Sequence, residues 1–136
     1  KPLPSFAQGR GEMLEVIPFR IEKPVLIVNP GIHIPTKWAY ENVIPKKPAR
    51  SLKEIIHSTN DFSEFKGSVI NDFEEVVFDK FTEIGELKSK LYFEGAEFVL
   101  MSGSGSTLFA IYSSPDRALY VKKKLEKQYF TFISNE

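Results

Sequence analysis

The sequence predicts an α+β domain of ferredoxin-like type: an antiparallel sheet whose elements follow the order β, helical insert, β, β, α, β. Three observations carry that prediction. An unbroken apolar, β-branched run, VLIVNPG at 25–31, is closed by Pro and Gly, as a buried central strand would be. Two further apolar segments, AEFVLMS and STLFAIYSS, flank the glycine-rich stretch at 101–107 as an antiparallel pair. The chain then closes with an amphipathic helical segment followed by the aromatic, β-branched YFTFIS.

Between the first strand and the pair lie several helices. TKWAYENV, from Thr36, predicts a short helix with Thr36 as N-cap. IPKKPARS is interrupted by Pro45 and Pro48 and predicts a loop. Ser51 and Glu54 have capping-box spacing, with Ile55 and Ile56 behind them, so a second short helix follows. Ile70, Phe73 and Val77 share one face of a helix expected to begin near Ser68. Ile84, Leu87 and Leu91 repeat the pattern, with Thr82 at the start and Gly95 just past the end. In SPDRALYVKKKLEKQ, Ser114 is the cap, Pro115 takes the first helical position, and Ala118, Val121 and Leu125 face inward.

Bulk properties narrow the function. A chain of 136 residues fits one domain, and 42% apolar content with 12 phenylalanines furnishes a core. Lys plus Arg equals Asp plus Glu at 18 each, which argues against a general nucleic-acid binder. The absence of cysteine excludes disulfides, thiolate nucleophiles and Cys-ligated zinc, and fits a reducing compartment. No apolar run approaches the roughly 20 residues that span a bilayer, and KPLPSFAQGRGE has no signal-peptide apolar region. The expectation is a cytoplasmic protein.

MSGSGST sets the central question. Its alternating Ser and Gly can aim successive backbone N–H groups into one anion-binding concavity. The competing reading is a plain hairpin in which Gly103 and Gly105 only supply positive φ. It matches neither the Walker pattern nor the dinucleotide fingerprint. Elsewhere the signals are weaker. Asp72, Glu74, Glu75 and Asp79 spread around a helix toward solvent, and Lys122 to Lys124 with Lys127 decorate an exposed helix end. His33 reads as a loop or strand-edge imidazole, and His57 as a partner of a helix dipole. No metal site is expected from two histidines without a third ligand.

The segments GRGEMLEVI, VLIVNPGIHIPTKWAY, NDFEEVVF and LYFEGAEFVLMSGSGSTLFAIY occur in the order and spacing of a known family. Together they resemble the C-terminal part of the 4-diphosphocytidyl-2-C-methyl-D-erythritol kinases, within the GHMP kinase superfamily. The resemblance implies the same ferredoxin-like domain and a crossing segment at residues 1–18 ahead of a C-terminal domain at 19–136. It further implies that Tyr40 stacks on the cytosine of the substrate, and that Thr36 either contacts substrate or caps its helix. Trp38 is expected to pack. Ser102, Gly103, Ser104, Gly105, Ser106 and Thr107 would form a loop at the interdomain cleft, although Ser102 and Thr107 could instead complete the hairpin. Asn71 and Asp72 would brace that loop or a helix terminus, and Arg10 would touch a second domain.

In this family ATP is held by P-x-x-x-G-L-G-S-S in an N-terminal domain that also brings the catalytic Asp and Lys. No segment here matches that motif. The resemblance therefore implies a domain with no catalytic residue or cofactor of its own, inactive alone, while the full-length enzyme uses ATP and Mg. Its partners would be the diphosphocytidyl substrate and the missing domain, with self-association when that domain is absent. The alternatives are another GHMP small-molecule kinase and a non-catalytic ferredoxin-like ligand-binding or regulatory module.

Overall fold

The computed structural model describes residues 3–134; the outer ends of the two expected segments, 1–2 and 135–136, lie outside the described residues. The four predicted strands are β3 (Val25–Asn29), β4 (Phe98–Met101), β5 (Leu108–Ile111) and β6 (Phe130–Ser134), ordered β4-β5-β3-β6 with every pairing antiparallel. The first of these four, β3, is thus an inner strand, as its unbroken apolar character predicts. Residues 5–16, to which the sequence assigned no strands, form a separate hairpin of β1 (Ser5–Gln8) and β2 (Met13–Val16). The helical insert contains α1 (Thr36–Asn42), α2 (Leu52–Ser58), a 3-10 turn (Phe62–Phe65), α3 (Phe73–Lys80) and α4 (Thr82–Phe93). Helix α5 (Pro115–Leu125) precedes β6.

Strand alternation divides the apolar residues between two faces. On the helical face, Leu26 and Val28 of β3 meet Val99, Met101, Leu108, Ala110 and Ile133. Over them pack Val77 of α3, Ile84, Leu87 and Leu91 of α4, and Ala118, Val121 and Leu125 of α5, all buried at the predicted helical spacing. The opposite face is partly covered by a smaller cluster in which Ile55, Phe62 and Phe65 pack on Phe98 and Ile111. Phe132, aligned with Ile27, and Phe130 remain exposed at its outer end.

The caps explain two differences from expectation. Ser51 forms the full capping box with Glu54, and Ser114 accepts from the Arg117 N–H at 3.3 Å, both as predicted. Thr36 is no cap: Pro35 holds that position, and its carbonyl accepts the Ala39 N–H at 3.0 Å without side-chain help. Helix α3 starts at Phe73 rather than near Ser68, because the Asn71 side chain accepts the Phe73 N–H at 3.0 Å and competes with a longer helix. Ile70 consequently lies outside the helix and is 66% exposed, while Val77 is fully buried as expected.

Candidate functional site

The glycine-rich stretch connects β4 to β5, and its stem is closed by the Ser102 N–H donating to the Thr107 carbonyl at 2.8 Å. Its two glycines differ. Gly103 sits at φ +59°, where a side chain is strained, so the turn itself requires it. Gly105 lies outside that region, and a Cβ placed there would meet nothing within 4 Å. The plain-hairpin expectation of positive φ at both positions therefore holds for Gly103 alone.

Two asparagines clamp the loop. The Asn71 amide donates to the carbonyls of Met101 and Gly103, each at 2.8 Å, and its oxygen accepts the Phe73 N–H, so the residue braces loop and helix together. Asn29, at the end of β3, donates to the Thr107 hydroxyl at 3.0 Å and accepts the Gly31 N–H at 2.7 Å. Thr107 thus serves the hairpin. The hydroxyls of Ser102, Ser104 and Ser106 take no part in this clamp; Ser106 is buried, Ser104 half-buried and Ser102 exposed. Glu74 adds a third restraint by accepting the Met101 N–H at 2.8 Å while pairing with Lys88 at 2.5 Å.

The same turn, 71–73, also meets α1. The Tyr40 ring lies edge-on to Phe73 at 5.0 Å and is otherwise largely open, at 65% exposure. Thr36 is exposed one turn earlier on α1, four residues from Tyr40, which puts both on one side of the helix. Trp38 packs as expected, edge-on to Phe81 at 5.7 Å with the Lys80 ammonium 4.4 Å above its ring. Asp72 does not brace the loop; it accepts the Lys46 N–H at 3.0 Å.

The carboxylates near the loop are committed to the protein's own donors: Glu74 as above, Glu75 to the Lys46 ammonium, and Asp72 to a backbone N–H. Glu74 is thereby half-buried instead of solvent-facing. This set does not fit a magnesium ion, and among the described residues no group of three or more His, Cys, Asp or Glu converges as a metal site. Lys124 is likewise engaged: with Arg117 it grips the buried Glu94, whose carboxyl is held below the usual glutamate range by the Lys124 hydrogen bond. His33 is exposed in the loop after β3, and His57 places Nδ1 2.7 Å from the Lys53 carbonyl at the end of α2. Arg10 occupies the exposed turn of the N-terminal hairpin.

Sequence reasoning passed over Asn29 and placed Glu74 toward solvent. An Asn before Pro-Gly is an available signal for an Asx-type turn. Glu74 carries no such signal inside an acidic run.

The family model for GHMP kinases C terminal matches residues 45–131. A 4-diphosphocytidyl-2-C-methyl-D-erythritol kinase of Bacteroides thetaiotaomicron is 38% identical over 110 residues, 80% of this chain and 39% of the relative. A protein of the same name from Azobacteroides pseudotrichonymphae is 40% identical over 118 residues, 85% of this chain and 43% of the relative. The crystal structure of a 4-(cytidine 5'-diphospho)-2C-methyl-D-erythritol kinase superposes with TM-score 0.79 at 27% identity, covering 95% of this chain and 48% of that one. A homoserine kinase from Cytophaga hutchinsonii, at TM-score 0.58 and 21% identity, shares the fold. The chain spans less than half the length of these relatives. With the family model spanning well over half of its residues, and with the sheet order and loop described above, the chain belongs to the GHMP kinase C-terminal family.

Proposed function

We propose that this chain is the substrate-holding C-terminal part of a kinase that transfers the γ-phosphoryl group of ATP to the 2-hydroxyl of 4-diphosphocytidyl-2-C-methyl-D-erythritol, in non-mevalonate isoprenoid biosynthesis. The names of its relatives supply the substrate. The observation that carries the reading is the 71–73 turn, which fixes an open glycine loop and an exposed tyrosine to one support.

In this reading Tyr40 stacks on the cytosine, an interaction worth roughly 1–3 kcal/mol, and Thr36 adds a hydroxyl contact from the same side of α1. The loop offers the Ser102 hydroxyl and the N–H and hydroxyl donors of Ser104 to the erythritol end, with Ser106 buried behind them, and Gly105 leaves room for close approach. ATP and its magnesium belong to an N-terminal domain, where they supply the phosphoryl group and neutralise its charge. This chain contributes positioning and no catalytic group, so it is inactive alone.

The protein works in the cytoplasm without nucleic acid or membrane; no described helix is long and apolar enough to cross one. Exposed Met13, Leu14 and Val16 on the hairpin, with Phe130 and Phe132 on β6, favour self-association when no second domain covers them.

Tyr40→Ala in the full-length protein is expected to raise KM for the diphosphocytidyl substrate by about fivefold or more, the lower end of the stacking range. A wild-type KM would remove the stacking assignment.

A further inference from the structure

The loop between α1 and α2 carries the cations Lys46, Lys47 and Arg50 within PKKPAR. Two contacts fasten its start to α3: the Lys46 N–H donates to Asp72, and the Lys46 ammonium pairs with Glu75. Pro45 and Pro48 restrict the backbone on either side of Lys47. The anchoring residue, Asp72, lies between Asn71, which grips the glycine loop, and Phe73, which supports Tyr40. The glycine loop, α1 and the loop after α1 therefore meet on one turn.

Charge separates the members of the cationic loop. Lys46 is spent on Glu75, nearby Lys37 faces Glu41 at 3.8 Å, and Lys53 pairs with Glu15 at 2.6 Å. Asp72 directs one carboxylate oxygen to the Lys46 N–H. Lys47 and Arg50 are exposed, and among the described residues neither has an ion-pair partner.

Resting on the function proposed above, we propose that Lys47 and Arg50 form the subsite for the diphosphate link of the substrate. A ligand with its base on Tyr40 and its polyol at the glycine loop has its middle, the diphosphate, over the turn that joins them. An anchored loop with two unspent cations matches that part of the ligand. The Arg50 guanidinium can take phosphate oxygens in a two-pronged fashion, and Lys47 contributes a point charge. Lys46 acts as the fastener and stays outside the subsite.

The test compares CDP with cytidine as probes, using calorimetry on the full-length protein at low and moderate salt. Lys47→Gln/Arg50→Gln is expected to weaken CDP binding by about tenfold and flatten its salt dependence, since exposed charge contacts are screened by salt. Cytidine binding should stay at the wild-type level, and Tyr40→Ala should weaken both probes. Unchanged CDP binding in the double variant, with Tyr40→Ala weakening both, would overturn the subsite and leave the kinase reading intact. Equal loss of CDP and cytidine in the double variant would overturn it too, by showing a structural defect. If Tyr40→Ala left both probes unchanged, the stacking assignment would fall and take the subsite with it.

Discussion

The two edges of the central sheet are finished differently. At β4, side chains from the helical insert meet the outward backbone groups. The Tyr92 hydroxyl lies 3.1 Å from the Val99 N–H and 3.4 Å from its carbonyl. Glu74 accepts the Met101 N–H, and Asn71 donates to the Met101 carbonyl. At β6, none of the side-chain hydrogen bonds among the described residues reaches the strand backbone, and Phe130 and Phe132 are exposed at 68% and 53%. Natural edge strands are usually blunted by charge, proline or cover, and FTFIS has neither charge nor proline. The difference teaches where the chain fixes itself: the edge that launches the glycine loop is sealed from within, and the other is left for whatever packs beside it.

Asn71→Ala should break this contrast most, because one substitution strips a donor from two carbonyls and an acceptor from a helix N–H. Unfolding by denaturant is expected to show a loss of about 1–3 kcal/mol, with faster amide exchange concentrated at 101–107. Loss spread evenly over the sheet would mean that the clamp is not local.

Away from the loop, Glu94 joins the end of α4 to α5. Its carboxyl is held low by the Lys124 hydrogen bond, with the Arg117 and Lys90 charges helping, so its contribution is present above the ordinary glutamate value of 4.5. That contribution disappears as the pH falls from there through the lower folded-state value. In Glu94→Gln the acid-side decline should shrink; an unaltered pH profile would show that this network carries no linkage.

Phe132→Ser should have the smallest effect on stability, within about 0.5 kcal/mol as for other exposed substitutions. Sedimentation of this chain alone should nonetheless show less self-association than the parent. An unchanged association constant would put the interaction elsewhere, with the hairpin residues Leu14 and Val16 the next to vary.

What the sequence revealed follows from the range of the interactions. α4 and α5 each bury one continuous stripe, so Ile84, Leu87 and Leu91, and Ala118, Val121 and Leu125, were readable from spacing alone. Ser51 and Glu54 lie within one turn, so their reciprocal caps were readable as well. The starts of α1 and α3 depend on weaker preferences: Pro35 displaced Thr36, and the Asn71 side chain moved the start of α3 past Ile70. The loop clamp joins residues 32 and 78 positions apart, Asn71 to Gly103 and Asn29 to Thr107, beyond any local pattern. Tyr40 was singled out by resemblance, and its exposure against Phe73 is visible only in three dimensions.

The central claim is that the open side of the glycine loop faces a ligand, and Gly105→Ala tests it most directly. Among the described residues nothing lies within 4 Å of a Cβ added at Gly105, and its backbone does not need the left-handed region. Thermal unfolding of the full-length protein should therefore stay unchanged or rise slightly, while kcat/KM for the diphosphocytidyl substrate falls by about tenfold or more, the scale of one lost transition-state contact. Wild-type kcat/KM at unchanged stability would contradict the account.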